Sequence, residues 1–414
     1  VAFVLLSMAT ASCGNLISNK VSQTPAPLLR SDELPTHRSQ DGAHPERDRA
    51  RSPFAVKPGL YDSSQPDNLG LPTAHGTETI RIFGPSDLSD HFSNGVVMTA
   101  FQGWLYVQWQ SSAQNEDSSD TWVAYSRSQT GHSWAPPVIL APKWEEGTRT
   151  SGGWWIAGNT LVAFINVWPK HASPEGGYVE FITSTDGKSW SAPKAVTMAD
   201  GTRLNGIFEQ DPHALPTGRI LNAAHFQPGL IVAPCYTDDP SGQGGWIRAP
   251  FPNLPFSGTS SREMEPSWFH RADGTVIMVF RDQASTFRRL ASMSLDCGAT
   301  WSTPIVTNMP DSRSKQSAGN LPNGTAFQVG NPVEYKLRIP LVVSLSRDGH
   351  LFDKAFVLRQ GGTDLQTQRY PGKAKGRGYS YPKSMIHDGY LYVSYATNKE
   401  DVEFTRVPVA SLVY

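Results

Sequence analysis

The sequence predicts an all-β fold, a propeller of six blades with seven as the alternative, and three observations carry the prediction. Six times the chain repeats a turn ending in Gly followed by an alternating apolar strand, as in Gly103-Trp-Leu-Tyr-Val-Gln-Trp and Gly389-Tyr-Leu-Tyr-Val-Ser-Tyr. The six glycines, Gly103, Gly158, Gly218, Gly274, Gly324 and Gly389, are 55, 60, 56, 50 and 65 residues apart, a period that marks stacked or radially repeated sheets. Composition agrees: 36 Gly, 32 Pro, 12 Trp, 13 Tyr and 18 Phe among 414 residues, with only 18% charged, favour short strands joined by tight turns over helical bundles. Four repeats also carry a Ser-x-Asp-x-Gly-x-Thr-Trp turn, complete in Ser294-Leu-Asp296-Cys-Gly298-Ala-Thr300-Trp301.

Along the chain, residues 1–13 form an apolar stretch too short to span a bilayer. They read as the h-region of a signal peptide. Ala11 and Ser12 before Cys13 resemble a bacterial lipoprotein processing site, so a lipid anchor through Cys13 and simple cleavage both stay open. Either route implies an exported protein, on the outer membrane or periplasmic or secreted. Residues 14–76 are rich in Pro, Ser, Asp, Arg and His, with Phe54 and Tyr61 their only aromatics. That composition predicts a disordered tether, with His37, His44 and His75 as solvated bystanders. The folded domain is expected over 77–414, where Thr79–Phe83 lacks a blade of its own and serves as the outer strand of the last blade. Export would permit Cys235 and Cys297 to pair.

The Asp turns recur, one residue shorter, at Ser184-Thr-Asp186-Gly187-Lys-Ser189-Trp190 and Ser346-Arg-Asp348-Gly349-His-Leu-Phe352, and in degraded form at Gln129-Thr-Gly131-His-Ser133-Trp134. Their Asp accepts hydrogen bonds from the turn's own amides, Gly supplies a left-handed residue and the aromatic packs between sheets, a structural role. These turns, in register with six hairpins, make the chain resemble the sialidase-like superfamily of Asp-box β-propellers over roughly residues 77–414.

In such a ring the loops entering the inner strands share one face, which predicts a basic mouth made by His91, Arg149, Arg203, Arg262, Arg313 and Arg377. Glu116, Asp117, His171, Tyr178, His225, Arg281, Asp282, Arg338 and Lys399-Glu400-Asp401 are expected on the same face. The inner strands carry Glu209, Asp211, His213, Glu265, Lys315, Tyr381 and Lys383, too many charges for a sealed core, so a wet central cavity is expected. The bland alternative makes these charges ion pairs between blades. Trp154, Trp155 and Trp168 either stack on sugars or pack the core. Arginines around one mouth suit a carboxylate, which guanidinium holds bidentately. A net charge of −1 argues against nucleic acid as partner. An acidic oligo- or polysaccharide is the expected substrate, and a monomer the expected state.

Two chemistries follow. Trp109 to Asp117, Glu265-Pro-Ser-Trp-Phe with Phe280-Arg281-Asp282, Pro310 to Asn320 and Asn398-Lys-Glu-Asp401 resemble the propeller polysaccharide lyases of the ulvan and rhamnose-glucuronate types. That resemblance implies β-elimination at a uronate, with His91 or His225 and Tyr178 as base and acid and Arg149, Arg203 and Arg313 on the carboxylate; Arg281, His213, Glu209, Glu265, Lys315 and Tyr381 complete the expected binding set. The first inner strand departs from it, having Ser93-Asn94-Gly95 where ulvan-type enzymes tend to have paired histidines. The alternative is a sialidase- or exo-arabinanase-like glycosidase, with Glu209 and Glu265 as paired carboxylates or a Tyr nucleophile. Arg338-Ile-Pro340 matches a sialidase motif but stands late in the chain, where the match reads as accidental. A non-catalytic glycan-binding propeller is the third possibility. No zinc-type or EF-hand motif is present, so no cofactor is expected, although a carbonyl-held calcium leaves no trace in sequence.

Overall fold

A computed structural model describes residues 52–170, 176–412 and 414. Over Pro53–Tyr414, six antiparallel sheets follow one another along the chain, so the propeller has six blades. Blade 1 is Phe92–Phe101, Trp104–Ser112, Trp122–Ser128 and Val138–Ala141. Blade 2 is Gly147–Ala157, Thr160–Pro169, Tyr178–Ser184 and Lys194–Ala195. The inner strand of blade 3 is broken into Gly206–Phe208 and His213–Ala214, both paired with Ile220–Phe226; Ile231–Thr237 and Ile247–Arg248 complete the sheet. Blade 4 is Glu263–His270, Val276–Asp282, Arg288–Ser294 and Ile305–Pro310. Blade 5 is Ser317–Asn320, Ala326–Gly330, Leu341–Ser346 and Lys354–Arg359. Blade 6 takes Tyr379–His387, Tyr390–Thr397 and Asp401–Pro408 from the end of the chain and Glu78–Phe83 from its beginning. Glu78 lies opposite Arg406, and their side chains form an ion pair at 2.7 Å.

The sheets are apolar on both faces because each packs between two neighbours. Val97 and Tyr106 of blade 1 meet Trp154 and Ile182 of blade 2, and Phe164 of blade 2 meets Phe208 and Trp246 of blade 3. Burying each such side chain contributes about 1.5–3 kcal/mol. The core therefore lies between blades, which leaves the polar inner strands to line the axis.

The Asp turns perform the expected structural work. Asp296 accepts from the Thr300 amide at 2.8 Å and its hydroxyl at 2.6 Å, while Trp301 donates to the Gly298 carbonyl at 3.0 Å. Trp134 makes the same bond to Gly131 at 2.9 Å, with the Thr130 hydroxyl accepting where Asp would. Gly187, at φ 64°, faces Tyr106 so closely that a side chain there would collide with the ring. A fifth turn of this type closes blade 3: Asp239 accepts from Ser241, and Trp246 donates to Gly242 at 3.0 Å.

One sequence expectation is corrected, and the pairing that export would permit is not made. The tether over 14–76 does not extend to its described part: Phe54, Val56, Leu69 and Ala74 are buried, and Ala55–Val56 pairs in parallel with Leu351–Phe352. The Asn308 side chain exchanges two 2.9 Å hydrogen bonds with the Val56 backbone. A few well-spaced apolar anchors suffice to hold a polar segment on a preformed surface, and average composition hides them. Cys235 and Cys297 are both buried and free, not bridged. Residues 1–51, with Cys13, His37 and His44, lie outside the described residues, as does His171.

Candidate active site

The inner strands run the same way along the axis, so their first residues gather at one end and their last at the other. The second end is a cavity of about 500 Å³ lined by Trp154, His213, Trp268 and His270 among others. At the first end Asn94, Glu116, Asp117, Trp168, Glu209, Glu265, Lys315, Tyr381 and Lys383 share a cavity of about 250 Å³.

A repeated backbone irregularity aims these side chains. The ladder register slips between Asn94 and Val97, between Met264 and Ser267, and between Ser380 and Lys383. Each slip inserts an extra residue, and a left-handed residue marks each bulge: Gly95 at φ 62°, Glu265 at 53° and Tyr381 at 57°. In blades 4 and 6 that residue precedes a proline, Pro266 or Pro382, which has no amide to contribute to the ladder. Holding Glu and Tyr left-handed costs on the order of 1 kcal/mol or more each, strain that concentrates at functional positions.

Tyr381 is surrounded by cations. Arg338 donates to its hydroxyl at 3.3 Å and lies 4.5 Å from its ring centroid, with Lys399 at 5.1 Å and Lys315 at 5.5 Å. Arg281 and Arg313 converge on one neutral acceptor, Gln283 Oε1, at 2.9 and 3.1 Å. Burial and the neighbouring Arg281 push the Arg313 pKa below its ordinary value.

The cavity carboxylates are tied to other cations. Glu209 meets Lys315 at 2.6 Å, Glu265 meets Arg281 at 3.1 Å and Glu116 meets Lys399 at 2.6 Å, with Asn94 also donating to Glu116 at 2.9 Å. Burial alone would raise the pKa of Glu209, but Lys315 holds it down at about 2. By contrast Arg313, Arg338 and Lys383 have no carboxylate within ion-pair distance among the described residues. The site is locally positive although the chain is nearly neutral.

The sequence-selected residues divide accordingly. Glu209, Glu265, Lys315 and Tyr381 come together in the cavity, and Arg281 and Arg313 stand beside them. His225 is buried beneath, its Nδ1 3.6 Å from Glu209 and its Nε2 accepting from the Glu265 amide at 3.4 Å. Burial lowers its pKa, so it is neutral there, below the carboxylates and off the cavity wall. Three others are placed elsewhere. His91 stacks on Tyr370 with centroids 3.8 Å apart, and Tyr178 lies under Arg203 at 4.1 Å; neither lines the cavity. His213 pairs with Asp211 at 3.3 Å in the opposite cavity.

The expected basic ring does not close around the mouth. Arg262 is spent in a bidentate pair with Asp282, Arg149 lies by Trp144 and Glu180, and Arg377 is exposed. Glu400 and Asp401 are buried under Arg369 and Lys375 instead of facing the mouth. Trp154 is core, whereas Trp168 lines the site. Four residues with a direct place here, Arg338, Lys383, Lys399 and Glu116, were expected on this face or on the inner strands but without a catalytic or binding role. The Arg338-Ile-Pro340 match looked accidental in chain order, yet Arg338 touches Tyr381.

Residues 103–393 match the BNR repeat-like domain family. Among solved structures, one called a sialidase superposes with a TM-score of 0.61 at 18% identity, covering 86% of this chain and 35% of its own. The chain thus spans about a third of that protein's length. A protein of unknown function from Dyadobacter fermentans also gives 0.61 at 16% identity, covering 81% of this chain and 99% of its own. The intramolecular trans-sialidase of Ruminococcus gnavus, solved with oseltamivir carboxylate, gives 0.57 at 12% identity, covering 82% and 99%. No curated protein sequence matches significantly. With the matched segment running from the first blade to the last, and Asp turns closing the hairpins within it, the chain belongs to the BNR repeat-like domain family, on a sialidase-like β-propeller.

Proposed function

We propose that this protein is a carbohydrate-active enzyme that cleaves an acidic glycan, with Tyr381 as the reacting group. The observation that carries the proposal is the Tyr381 phenol, bonded to Arg338 and flanked by Lys315 and Lys399, in one cavity with the Glu265–Arg281 pair. The relatives named as sialidases add to it.

The favoured chemistry is retaining glycoside cleavage. Arg281, Arg313 and Arg338 hold the sugar carboxylate. The Tyr381 oxygen bonds to the anomeric carbon as the glycosidic carbon–oxygen bond breaks. Its proton passes to Glu265, which shares the cavity wall with Tyr381 and is held by the Arg281 guanidinium at 3.1 Å. Asp117 protonates the departing oxygen, and water then releases the sugar from Tyr381. The surrounding cations stabilise negative charge on the phenolic oxygen during attack. A Glu209/Glu265 pair is the weaker arrangement, because each carboxylate is already tied to a cation, Glu209 to Lys315 and Glu265 to Arg281.

β-Elimination on a uronate is the second reading. The arginines favour it, since neutralising the carboxylate acidifies the C5 hydrogen; Tyr381, rather than His91 or Tyr178, would be the base. The test offers the protein a fluorogenic sialoside and, separately, glucuronate-containing oligosaccharides. Fluorophore release, together with a covalent adduct on Tyr381 after treatment with 2,3-difluorosialic acid, is the expected result. An ultraviolet-absorbing unsaturated uronate instead selects elimination. In either case Tyr381→Phe should lower turnover by at least about 10³-fold; a variant that keeps wild-type turnover removes Tyr381 from the chemistry.

A further inference from the structure

Lys383 is a buried lysine beside the bulge that carries Tyr381. It resumes the ladder opposite Ser394 after the Tyr381-Pro382 bulge and lines the same cavity as Tyr381. Only 2% of the residue is exposed, yet among the described residues its ammonium has no hydrogen-bond or ion-pair partner. Its neighbours are already committed, Glu209 to Lys315 and Asp211 to His213. Glu265 and Glu116, on the same cavity wall, are bound to Arg281 and Lys399. A buried charge without a counter-ion is costly.

We propose that Lys383 is a specificity-determining residue whose ammonium binds an oxyanion of the glycan at the floor of the cavity, a carboxylate or a sulfate ester. The assignment rests on the acidic-glycan reading and adds to it a pH range. Burial, reinforced by Lys315, brings the Lys383 pKa down to about 8 against the pull of Asp211 and Glu209. The amine therefore loses its charge only a little above neutrality, whereas the arginines stay charged. The other groups facing this point are Glu265, Tyr381, Glu116 and Asp117 on the wall, with His225 behind Glu209 and His213 behind Asp211.

The test is calorimetric titration of the full chain at pH 6.5 and 9.5 with glucuronate, N-acetylneuraminate, glucose 6-sulfate and, as the neutral control, glucose. The wild type should bind at least one anionic sugar about tenfold more weakly at pH 9.5, with the change centred near pH 8; whether the carboxylated or the sulfated probe shows the drop identifies the anion. K383M should lose about tenfold in affinity at pH 6.5 and with it the pH slope. K383R should keep the pH 6.5 affinity and show little slope, a rescue that a purely structural lysine has no reason to give. Wild-type affinity and slope in K383M overturn the Lys383 assignment and leave the acidic-glycan reading standing. Glucose binding as tightly as the anionic sugars overturns that reading, and the assignment with it.

Discussion

Arg313 combines a left-handed backbone, φ 59°, with a neutral partner, Gln283. A guanidinium held beside Arg281 without a carboxylate is available to a ligand. Arg313→Met should therefore raise KM for an acidic substrate by about tenfold and change kcat much less, as steady-state kinetics will read. Glu209 makes a prediction about stability. Its folded-state pKa of about 2 lies below the ordinary 4.5. Its ion pair therefore stabilises the fold fully above about pH 4.5, and that contribution is lost as pH falls toward 2. Thermal midpoints measured from pH 6 to pH 2 should fall less steeply in Glu209→Gln than in the wild type.

Much of this residue-scale picture was legible in the sequence. Glu209, Glu265, Lys315 and Tyr381 declared themselves as charged or polar residues on strands that had to line an axis. Direction was not legible. Whether a strand residue faces the axis depends on the register slips at Glu265-Pro266 and Tyr381-Pro382, and one extra residue reverses every side chain beyond it. His91 and Tyr178, chosen by residue type and nearness to a loop, fall outside the cavity.

At the scale of the element, the Asp turns are the best-encoded part of the fold, because the donors, the acceptor and the aromatic lie within a few residues of one another. Trp301 is 7% exposed and packs with Leu221, Met278 and Leu290 between blades 3 and 4. Trp301→Ala should cost about 3–5 kcal/mol, seen as a lowered midpoint in denaturant unfolding with little change in slope. Asp296→Ala, which removes only turn hydrogen bonds, should cost about 1 kcal/mol by the same measurement. The turn ending at Trp246 escaped sequence reading because extra residues separate Asp239 from its tryptophan, which stretches the motif without disturbing the Trp246–Gly242 bond.

For the whole molecule, the segment before the first blade is part of the folded unit. Phe54 packs against Phe269 and Phe352, and Tyr61 donates to the Met309 sulfur and bonds to the Ser344 hydroxyl. A chain beginning at Glu78 should keep its blades but melt several degrees lower than one beginning at Pro53, with faster proteolysis around blades 4 and 5. Equal midpoints for the two chains would show the segment to be passive.

The pairing of Glu78–Phe83 with Asp401–Pro408 also sets an order of events. Blades 1 to 5 are each complete within one continuous stretch of chain, so they can form one after another as the polypeptide emerges. Blade 6 has to wait for partners more than 300 positions apart, as in the bond between Arg406 and Glu78. Until they meet, the first and fifth blades each present a bare apolar face. The slowest folding step should accordingly be ring closure, and the species most prone to aggregate should be the open ring that precedes it.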